Sequence, residues 1–441
     1  MEEKGVLYIS YYFPPMRHIA SVRAAKFAKY LSLYGWRSYV LTASMGHGWT
    51  QAQLQQAYGG IDHQRVYRVP SPLEPSKLAA RISGHGDILS PTGTKAYGIP
   101  YPPLIKRASR WFREWLMIPD EQITWLPMAI AVGQKIIREH HIDAMITSSG
   151  PYSVHLIGYW LRRKYHIPWL ADFRDSWTQN SDVIFATDFH KRIHQALEQK
   201  VFEGADCVTA VEPGVYVGSD NSILQKIQHL TNGFDPEDFL HIQRKPAAGI
   251  FSIVFAGSFY SAISPNNFIE ALANVLRNHC ELRSKIRVRF YGRSYAVDIR
   301  QLVNRYGIED VLRLEGDVPR QEVLQELVNA DALLLIRSSQ QLTVYSGKLF
   351  EYLGARRPIL GLVPVNGVAA NVIRQTEAGV IAPPDDIPAI ERAILDLYER
   401  WEKGTLEDFS PRRTEEYSYP RLASNLASYL NQMVAPKQRR D

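Results

Sequence analysis

The sequence predicts two doubly wound α/β domains, each built on a parallel sheet with helices on both faces. Short apolar runs alternate with amphipathic helical stretches in both halves of the 441 residues, and this alternation is typical of parallel sheets. A strong turn signal, Asn-Gly followed by Asp-Pro, lies within Thr231–Pro236. We therefore expect a first domain over residues 1–236, completed by a C-terminal helix at 415–441, and a second domain over residues 237–414.

The elements of the first half follow from the spacing of apolar residues. The predicted strands are short apolar runs at Val6–Ser10, Ser38–Leu41, Ala144–Thr147, Trp169–Ala171 and Cys207–Ala210. The predicted helices, each with one apolar face, are Arg17–Tyr34, Ser153–Tyr165 and Phe189–Phe202. From Pro70 to Pro103 the chain is rich in Gly, Pro and Ser with little periodicity, which indicates a long surface insertion.

The second half repeats the alternation of strands and helices. Its predicted strands are Ser252–Ala256, Val288–Tyr291, Leu312–Leu314, Ala332–Ile336 and Pro358–Leu362. Helices are expected between them, including Asn266–Arg277, Arg320–Asn329 and Gly347–Ala355. Two such blocks predict two separate parallel sheets rather than one.

Composition narrows the class of protein. The net charge of +6 mildly favours anionic partners such as nucleotide phosphates or acidic lipids, but the sequence has no nucleic-acid-binding signature. Cys207 and Cys280 lie far apart without a CxxC motif, which excludes a disulfide framework or a cysteine zinc site and suits a reducing cytoplasm. No apolar run approaches the roughly 20 residues of a membrane span. We expect a cytoplasmic protein, with the inner face of the cell membrane as a second possible location.

The segment Ser346–Leu353 has the most informative pattern. The predicted helix begins here and places Lys348 in its first turn, where a cation opposes the helix dipole at a cost of roughly 0.3–1 kcal/mol. An anion bound by Lys348 and the free backbone N–H groups at Ser346 and Gly347 would reverse that cost. Glu351 shares the face of Lys348 and could accept hydrogen bonds from ribose hydroxyls. A surface ion pair above an apolar helix face is the alternative.

Two other segments follow predicted strands of the second half. Gly257 and Ser258 come after the strand Ser252–Ala256, where a glycine allows backbone to approach a phosphate closely. Arg293 follows the strand Val288–Tyr291 and could pair with a diphosphate. Neither signal is specific, because no GxGxxG motif is present; an ordinary turn glycine and a solvated arginine explain them equally well.

Charged residues also end a strand of the first half. Asp172, Arg174 and Asp175 follow one another within four residues at a strand end, the place where open α/β sheets bind ligands. They suit recognition of sugar hydroxyls or proton transfer, and Trp177 could stack on a sugar face. An Asp helix cap with a local Arg–Asp pair fits the same pattern.

The loop after the first predicted strand contains Pro14-Pro15, which makes it rigid, and then Arg17 and His18. If the N-terminus of the following helix points towards a ligand, Arg17 and His18 would contact the acceptor or the sugar. His155, a lone histidine on an apolar helix, is more simply explained as a core residue.

A basic amphipathic helix is predicted at Leu104–Leu116. Its apolar face includes Trp111 and Trp115, and basic residues flank that face. Such a helix suits an anionic membrane surface. A domain-packing helix with extended arginine side chains is the alternative.

Five segments are informative together. In chain order they read YYFPPMRHIASVRAAKFAKYL, IPDEQITWLP, PWLADFRDSW, LTNGFDPEDF and SGKLFEYLGARRPIL. They resemble family 4 glycosyltransferases of the GT-B fold, the bacterial surface-polysaccharide type, over Val6 to about Ile381 apart from Pro70–Pro103. The resemblance implies two Rossmann-like domains facing a central cleft. It also implies a UDP- or GDP-sugar donor, and retaining transfer without a metal or other cofactor.

The resemblance also implies roles for single residues. Glu351 matches the second glutamate of the paired-glutamate donor motif, which is associated with the nucleotide ribose, and Lys348 matches a diphosphate contact. The Gly257–Ser258 loop matches the first donor-phosphate loop. The sequence departs from the family at Thr343, where the first glutamate of the pair is absent. It also lacks the Arg/Lys pair after Gly257, for which Arg293 is the candidate replacement.

These observations predict transfer of a sugar to a hydroxyl acceptor, either lipid-linked or a saccharide. Lys348, Arg293 and helix N-termini would stabilise the leaving diphosphate, and Asp172, Arg174 and Asp175 would contact the sugar or acceptor. Two other classes of protein stay open. One is a nucleotide-sugar epimerase or phosphorylase on the same fold. The other is a non-catalytic GT-B-like scaffold that binds partners through the helix containing Trp111 and Trp115.

Overall fold

The computed structural model describes residues 3–16, 19–44, 60–72, 111, 114–179, 185–212, 220–260, 263–295 and 298–435. The chain forms two compact units. One contains Met1–Thr231 and Tyr419–Asp441, and the other contains Asn232–Ser418. Beyond residue 72, the predicted insertion at Pro70–Pro103 lies outside the described residues.

The first unit is built on a seven-stranded parallel sheet. Its strands are β1 (Lys4–Ser10), β2 (Trp36–Ala43), β3 (Val66–Val69), β4 (Ala144–Ser148), β5 (Trp169–Phe173), β6 (Cys207–Ala210) and β7 (Ile227–His229). The spatial order is β3-β2-β1-β4-β5-β6-β7, so the order reverses between β1 and β4. Ligands of doubly wound folds bind at such a reversal, beyond the carboxyl ends of the strands.

Helices cover this sheet on both faces. They are α1 (Ile19–Tyr30), α2 (Leu126–Glu139), α3 (Ser153–Tyr165), α4 (Asp188–Gly204) and the short α5 (Asn221–Leu224). Strand β1 shows the two faces directly. Leu7 and Ile9 pack in a cluster with Trp125, whereas Val6 and Tyr8 pack in a separate cluster. This alternation of buried apolar side chains explains why β1 reads as a continuous apolar run.

The second unit repeats this arrangement on a six-stranded parallel sheet. Its strands are β8 (Phe251–Ala256), β9 (Ile286–Tyr291), β10 (Leu312–Gly316), β11 (Ala332–Ile336), β12 (Ile359–Leu362) and β13 (Gly379–Ala382). Its helices are α6 (Asn266–Asn278), α7 (Ile299–Tyr306), α8 (Arg320–Asn329), α9 (Gly347–Ala355), α10 (Val368–Gln375) and α11 (Ile387–Glu402). The spatial order is β10-β9-β8-β11-β12-β13, which places the reversal between β8 and β11.

The last helix, α12 (Tyr419–Val434), returns to the first unit. Its apolar side chains Leu422, Leu426 and Leu430 are buried in the same cluster as Val6 and Tyr8. Near the chain ends, the Lys4 amine donates a hydrogen bond to Asn431 Oδ1 at 2.9 Å. The first unit is therefore assembled from two separate stretches of chain.

Within the described parts of the chain, no helix is both long enough and apolar enough to cross a bilayer.

Candidate functional site

Three adjacent strands of the second unit end in glycines with backbone conformations that other residues rarely adopt. The φ angles are +131° at Gly257, +113° at Gly292 and +72° at Gly316. The Gly257 N–H donates to the Tyr291 carbonyl at 2.8 Å, and the Gly292 N–H donates to the Gly316 carbonyl at 2.6 Å. Positive φ costs glycine little because it has no Cβ. The strand ends therefore form a smooth backbone edge.

There is no room for a side chain at the first two of these glycines. A Cβ on Gly257 would lie 2.0 Å from Lys348 Cε, and a Cβ on Gly292 would lie 2.3 Å from the Gly257 carbonyl oxygen. The side chain of Lys348 thus packs directly against the backbone at the end of β8. The sequence-predicted residues Gly257 and Lys348, 91 positions apart, meet at one point.

Lys348 occupies an unusual environment for a lysine. It is the second residue of α9, after the N-cap Ser346 and the first helical residue Gly347. Its amine lies 4.2 Å from the centroid of the Phe255 ring and donates a long hydrogen bond of 3.5 Å to the Ser258 carbonyl. Burial, with a further contribution from the charge of Arg337, lowers the pKa of Lys348 to about 7, although Glu351 opposes the shift. A bound anion would raise it again.

Arg337 is a further candidate site residue, which the sequence analysis did not predict. It follows β11 directly, is only 6% exposed, and its backbone N–H donates to the Leu362 carbonyl at 2.9 Å. Arg337 and Lys348 are both cationic and partly buried, so their charges repel each other. A dianionic ligand would relieve this repulsion. An arginine immediately after the fully apolar strand Ala332–Ile336 was the available signal, because strand ends are where such sheets bind ligands.

Glu351 lies on α9 one turn after Lys348. Its carboxylate accepts a hydrogen bond from Arg320 at the start of α8, and the same guanidinium binds Asp238 Oδ2 at 2.9 Å. The Glu351 side chain is 30% exposed. The alternative considered from the sequence was an ion pair between Glu351 and Lys348. The described salt bridge of Glu351 is instead formed with Arg320.

Arg293 lies on the same edge of the sheet but already has a charged partner. Its guanidinium forms an ion pair with Asp317, which follows β10, and its carbonyl accepts the Phe259 N–H at 2.9 Å. Arg293 also lines a cavity of about 310 Å³ together with Asp298 and Arg300. It can therefore contact a ligand beside Gly257, but in competition with Asp317.

In the first unit, Asp172 is buried and fully engaged. It is 2% exposed, forms a salt bridge of 2.8 Å with Arg23, and accepts hydrogen bonds from Ser148 at 2.7 Å and Thr209 at 2.8 Å. Although burial opposes ionisation, the Arg23 charge and these hydrogen bonds keep the pKa of Asp172 below its usual value. This environment fits a structural role better than the predicted contact with sugar or acceptor.

Arg174 and Asp175 form the local ion pair that was the alternative considered from the sequence. The Arg174 guanidinium binds Asp175 Oδ2 at 2.7 Å, and the Asp175 side chain is half exposed. Asp175 can therefore still reach a ligand, whereas most of Arg174 is buried.

The prediction that Trp177 stacks on a sugar face is wrong. The Trp177 side chain is fully buried, its ring stacks on Tyr152 with centroids 4.9 Å apart, and its indole N–H donates to His194 Nδ1 at 3.0 Å. Both partners are distant in sequence, so the local pattern could not reveal them. His155 is also a core residue, as expected: its ring is buried beside Phe173 and hydrogen-bonds Thr147.

The remaining predicted residues can be placed only in part. Arg17 and His18 lie outside the described residues, as does most of Leu104–Leu116. In the described part of that segment, Trp111, Trp115 and Leu116 are exposed, and the two indole rings stack with centroids 6.0 Å apart. Across the described residues, no three His, Cys, Asp or Glu side chains are grouped so that they could hold a metal ion.

Two parallel α/β units, each with its strand order reversed near the middle of the sheet, define the GT-B class of fold. Solved structures of this class are similar over nearly the whole chain. Sucrose-phosphate synthase from Thermosynechococcus elongatus matches with a TM-score of 0.62 and 15% identity, covering 98% of this chain and 99% of its own. The N-terminal domain of Candida albicans trehalose-6-phosphate phosphatase gives 0.63 and 12%, covering 97% of each chain. WaaG, a glycosyltransferase involved in lipopolysaccharide biosynthesis, gives 0.56 and 13%, covering 98% and 100%.

Within this class, the second unit can be assigned more closely. Residues 250–400, which make up most of this unit, match the family described as "Glycosyl transferases group 1". The matched range includes Gly257, Arg293, Arg337, Lys348 and Glu351. No curated protein sequence matches the chain.

Proposed function

We propose that this chain is a retaining glycosyltransferase that moves a sugar from a nucleoside-diphosphate sugar to a hydroxyl acceptor in cell-surface polysaccharide biosynthesis. The group 1 domain and the GT-B fold support nucleotide-sugar transfer. The similar structure WaaG is described as acting in lipopolysaccharide biosynthesis, which supports the polysaccharide role. The observation that carries the proposal is the partly buried Lys348 amine, placed at a helix N-terminus and against the strand-end backbone of Gly257.

The diphosphate of the donor binds at the N-terminus of α9. The N–H groups at Ser346 and Gly347, the backbone at Gly257 and Ser258, and the Lys348 ammonium surround it. When the bond between the sugar and the diphosphate breaks, negative charge grows on the leaving oxygen, and these fixed positive groups stabilise that charge. Arg337 adds a second positive charge nearby. Because the binding groups are already in place, they need little reorganisation during the reaction.

The proposed reaction uses further contacts in each unit. Glu351 accepts hydrogen bonds from the ribose hydroxyls of a UDP- or GDP-sugar, and Arg293 exchanges Asp317 for a donor phosphate. In the first unit, Asp175 and Arg174 contact the sugar or acceptor, together with Arg17 and His18. Asp172 is no longer part of this set, because its carboxylate is buried and bonded to Arg23. No metal or other cofactor takes part in the proposed reaction.

The acceptor is a saccharide or a lipid-linked saccharide, and the protein works at the inner face of the cell membrane. Exposed Trp111, Trp115 and Leu116 support membrane contact, because tryptophan side chains are favourable at a membrane interface. Lysine and arginine residues in Leu104–Leu116 add attraction to anionic lipids.

The experiment that tests the proposal incubates the protein with a panel of UDP- and GDP-sugars and a lipid-linked acceptor, and measures release of free UDP or GDP. Wild-type protein should release the nucleotide only when acceptor is present. Lys348→Ala should lower turnover by about 10²–10³-fold, the usual effect of removing one group that stabilises transition-state charge. Lys285→Ala is the matched control, since Lys285 is an exposed lysine of the same unit paired with Glu402.

The outcomes separate the classes of protein considered above. Unchanged turnover in Lys348→Ala would contradict the proposed site. Conversion of the sugar nucleotide without loss of UDP or GDP would identify an epimerase, and absence of any conversion would favour a scaffold.

A further inference from the structure

The salt bridge between Arg320 and Glu351 is one of two that Arg320 forms with carboxylates of the second unit. Arg320 uses two separate nitrogens: Nη1 donates to Glu351 Oε1, and Nη2 donates to Asp238 Oδ2 at 2.9 Å. Asp238 lies in the short 3-10 helix Pro236–Phe239, Arg320 begins α8, and Glu351 lies on α9. One guanidinium thus joins three elements of the second unit through two carboxylates.

The charges on these residues are mutually stabilising. Two adjacent carboxylates outweigh the effect of partial burial and raise the pKa of Arg320 above its usual value. The Arg320 side chain is nevertheless half exposed, and an exposed ion pair adds little to folding stability. The arrangement is therefore better explained by orientation than by stability, because a planar guanidinium fixes two carboxylates in defined directions.

Arg320 engages only one of the two carboxylate oxygens of Glu351. Arg320 binds Oε1, and among the described residues no hydrogen bond reaches Oε2. Glu351 is also close enough to influence the Lys348 charge. The free oxygen therefore belongs to a side chain that is fixed in place beside the anion-binding amine.

We propose that Arg320 is a positioning residue, which holds Glu351 so that its carboxylate can receive the ribose hydroxyls of the donor nucleotide. Asp238 fixes the guanidinium from the other side. This inference rests on the proposed function, since it needs a nucleotide at the N-terminus of α9. It adds that recognition of the ribose depends on a residue that does not itself touch the ligand.

The test compares a ribose nucleotide with one that lacks its hydroxyls. Calorimetric titration of full-length protein measures the affinities of UDP and 2′,3′-dideoxy-UDP, with the GDP pair used if GDP binds more tightly. The ratio of the two affinities reports the ribose contact alone. The variants are Arg320→Gln, Asp238→Asn and Lys348→Ala. Arg283→Gln is the matched control, because Arg283 is also an exposed arginine of this unit that binds a carboxylate, Asp310, at 2.7 Å.

The wild-type protein should prefer the ribose form, and Arg320→Gln should reduce this preference about two- to tenfold, the effect of mobilising one long side chain. Asp238→Asn should reduce it less, and Arg283→Gln should leave it unchanged. All four variants should keep the thermal midpoint of the wild type within a few degrees.

Different results overturn different parts of the argument. If Arg320→Gln keeps the full ribose preference of the wild type, the positioning role is wrong. Equal wild-type affinity for both forms also rejects it, because Glu351 would then not bind the ribose. Lys348→Ala should weaken both forms equally; if it weakens neither, the proposed phosphate site fails, whatever happens to the ratio. If neither UDP nor GDP binds the wild type, both proposals fail.

Discussion

The environment of Lys348 favours the binding of an anion beside its amine. Lysine is normally charged in proteins, yet here burial and Arg337 favour the neutral form. The phenyl ring of Phe255 and the Ser258 carbonyl only partly compensate. A ligand with two negative charges would favour the charged form of Lys348, so the protonation of this residue should respond to binding.

Nucleotide affinity should therefore depend on pH. Because the pKa of Lys348 is lowered to about 7 in the free protein, the amine is charged below pH 7 and loses its proton as the pH rises further. The bound diphosphate requires the charged form, so the affinity for UDP or GDP should fall by up to about tenfold per pH unit above pH 7. Calorimetric titrations at pH 7, 8 and 9 measure this.

Lys348→Arg provides the control, because arginine keeps its charge over this range. A wild-type affinity that does not change between pH 7 and 9 would show that Lys348 does not carry the phosphate.

Gly257 should not tolerate alanine. The added Cβ would overlap Lys348 Cε at 2.0 Å, and the φ of +131° is itself unfavourable for alanine. We expect Gly257→Ala to lower the free energy of unfolding by about 1–3 kcal/mol and to weaken nucleotide binding, as measured by denaturation and calorimetry. Gly404→Ala is the control for backbone strain, since Gly404 also has a positive φ of +74° but, among the described residues, nothing beyond its chain neighbours within 4 Å of the added Cβ. Equal behaviour of the two variants would contradict the contact with Lys348.

At the level of secondary structure, Arg23 and Asp172 connect α1 to the centre of the first sheet. Arg23 also donates to the Leu230 and Thr231 carbonyls at 3.0 and 2.7 Å. The pair therefore links α1 and β5 to the backbone at Leu230 and Thr231, where the chain leaves the first unit. Both side chains are buried. A buried charge that loses its partner is costly, because water cannot replace the lost interaction.

Removing one member of this pair should destabilise the protein strongly. We expect Asp172→Asn to lower the free energy of unfolding by about 3–5 kcal/mol, measured by urea denaturation. The double variant Arg23→Met/Asp172→Leu should recover part of the loss, because it leaves no unpaired buried charge. Turnover per folded molecule should stay within a few-fold of the wild type. A stable Asp172→Asn protein without activity would instead restore the contact with sugar or acceptor predicted from the sequence.

The sequence predicts the central elements well and the edges poorly. Helices Ser153–Tyr165, Arg320–Asn329 and Gly347–Ala355 have the predicted bounds, because each has a complete apolar face between clear breaks. The edge strands Val66–Val69, Ile227–His229 and Gly379–Ala382 were missed, since these strands are short and only partly buried. The periodicity of apolar residues along the sequence cannot distinguish such strands from loops.

The candidate site was predictable to the extent that its signals are local. Lys348 and Gly257 stand out because a cation in a first helical turn and a strand-end glycine are visible in a few residues. Burial of Trp177 was not visible, because its partners Tyr152 and His194 come from other elements. The hydrogen bond between Arg320 and Asp238 joins residues 82 positions apart, and a local sequence pattern cannot predict such a long-range contact.

For the molecule as a whole, the candidate phosphate and ribose contacts all lie in the second unit. Nucleotide binding should therefore stabilise the second unit more than the first unit. In a calorimetric scan of the full chain, UDP or GDP at about 100 times its Kd should add about 2.7 kcal/mol to the stability of the unit that binds it. If the two units unfold separately, the nucleotide should raise the midpoint of one transition more than the other.

The Lys348→Ala variant identifies the cause, since its transitions should not respond to the nucleotide. A response that Lys348→Ala retains in full would mean that the nucleotide binds elsewhere.

The position of α12 has a consequence for synthesis on the ribosome. The strands of the first unit are translated before residue 231, but Leu422, Leu426 and Leu430, which cover Val6 and Tyr8, are added only after the second unit has been made. Until then, one apolar side of the nascent sheet lacks its final cover, a state in which chains aggregate or recruit chaperones. The second unit, continuous in sequence, can mature first.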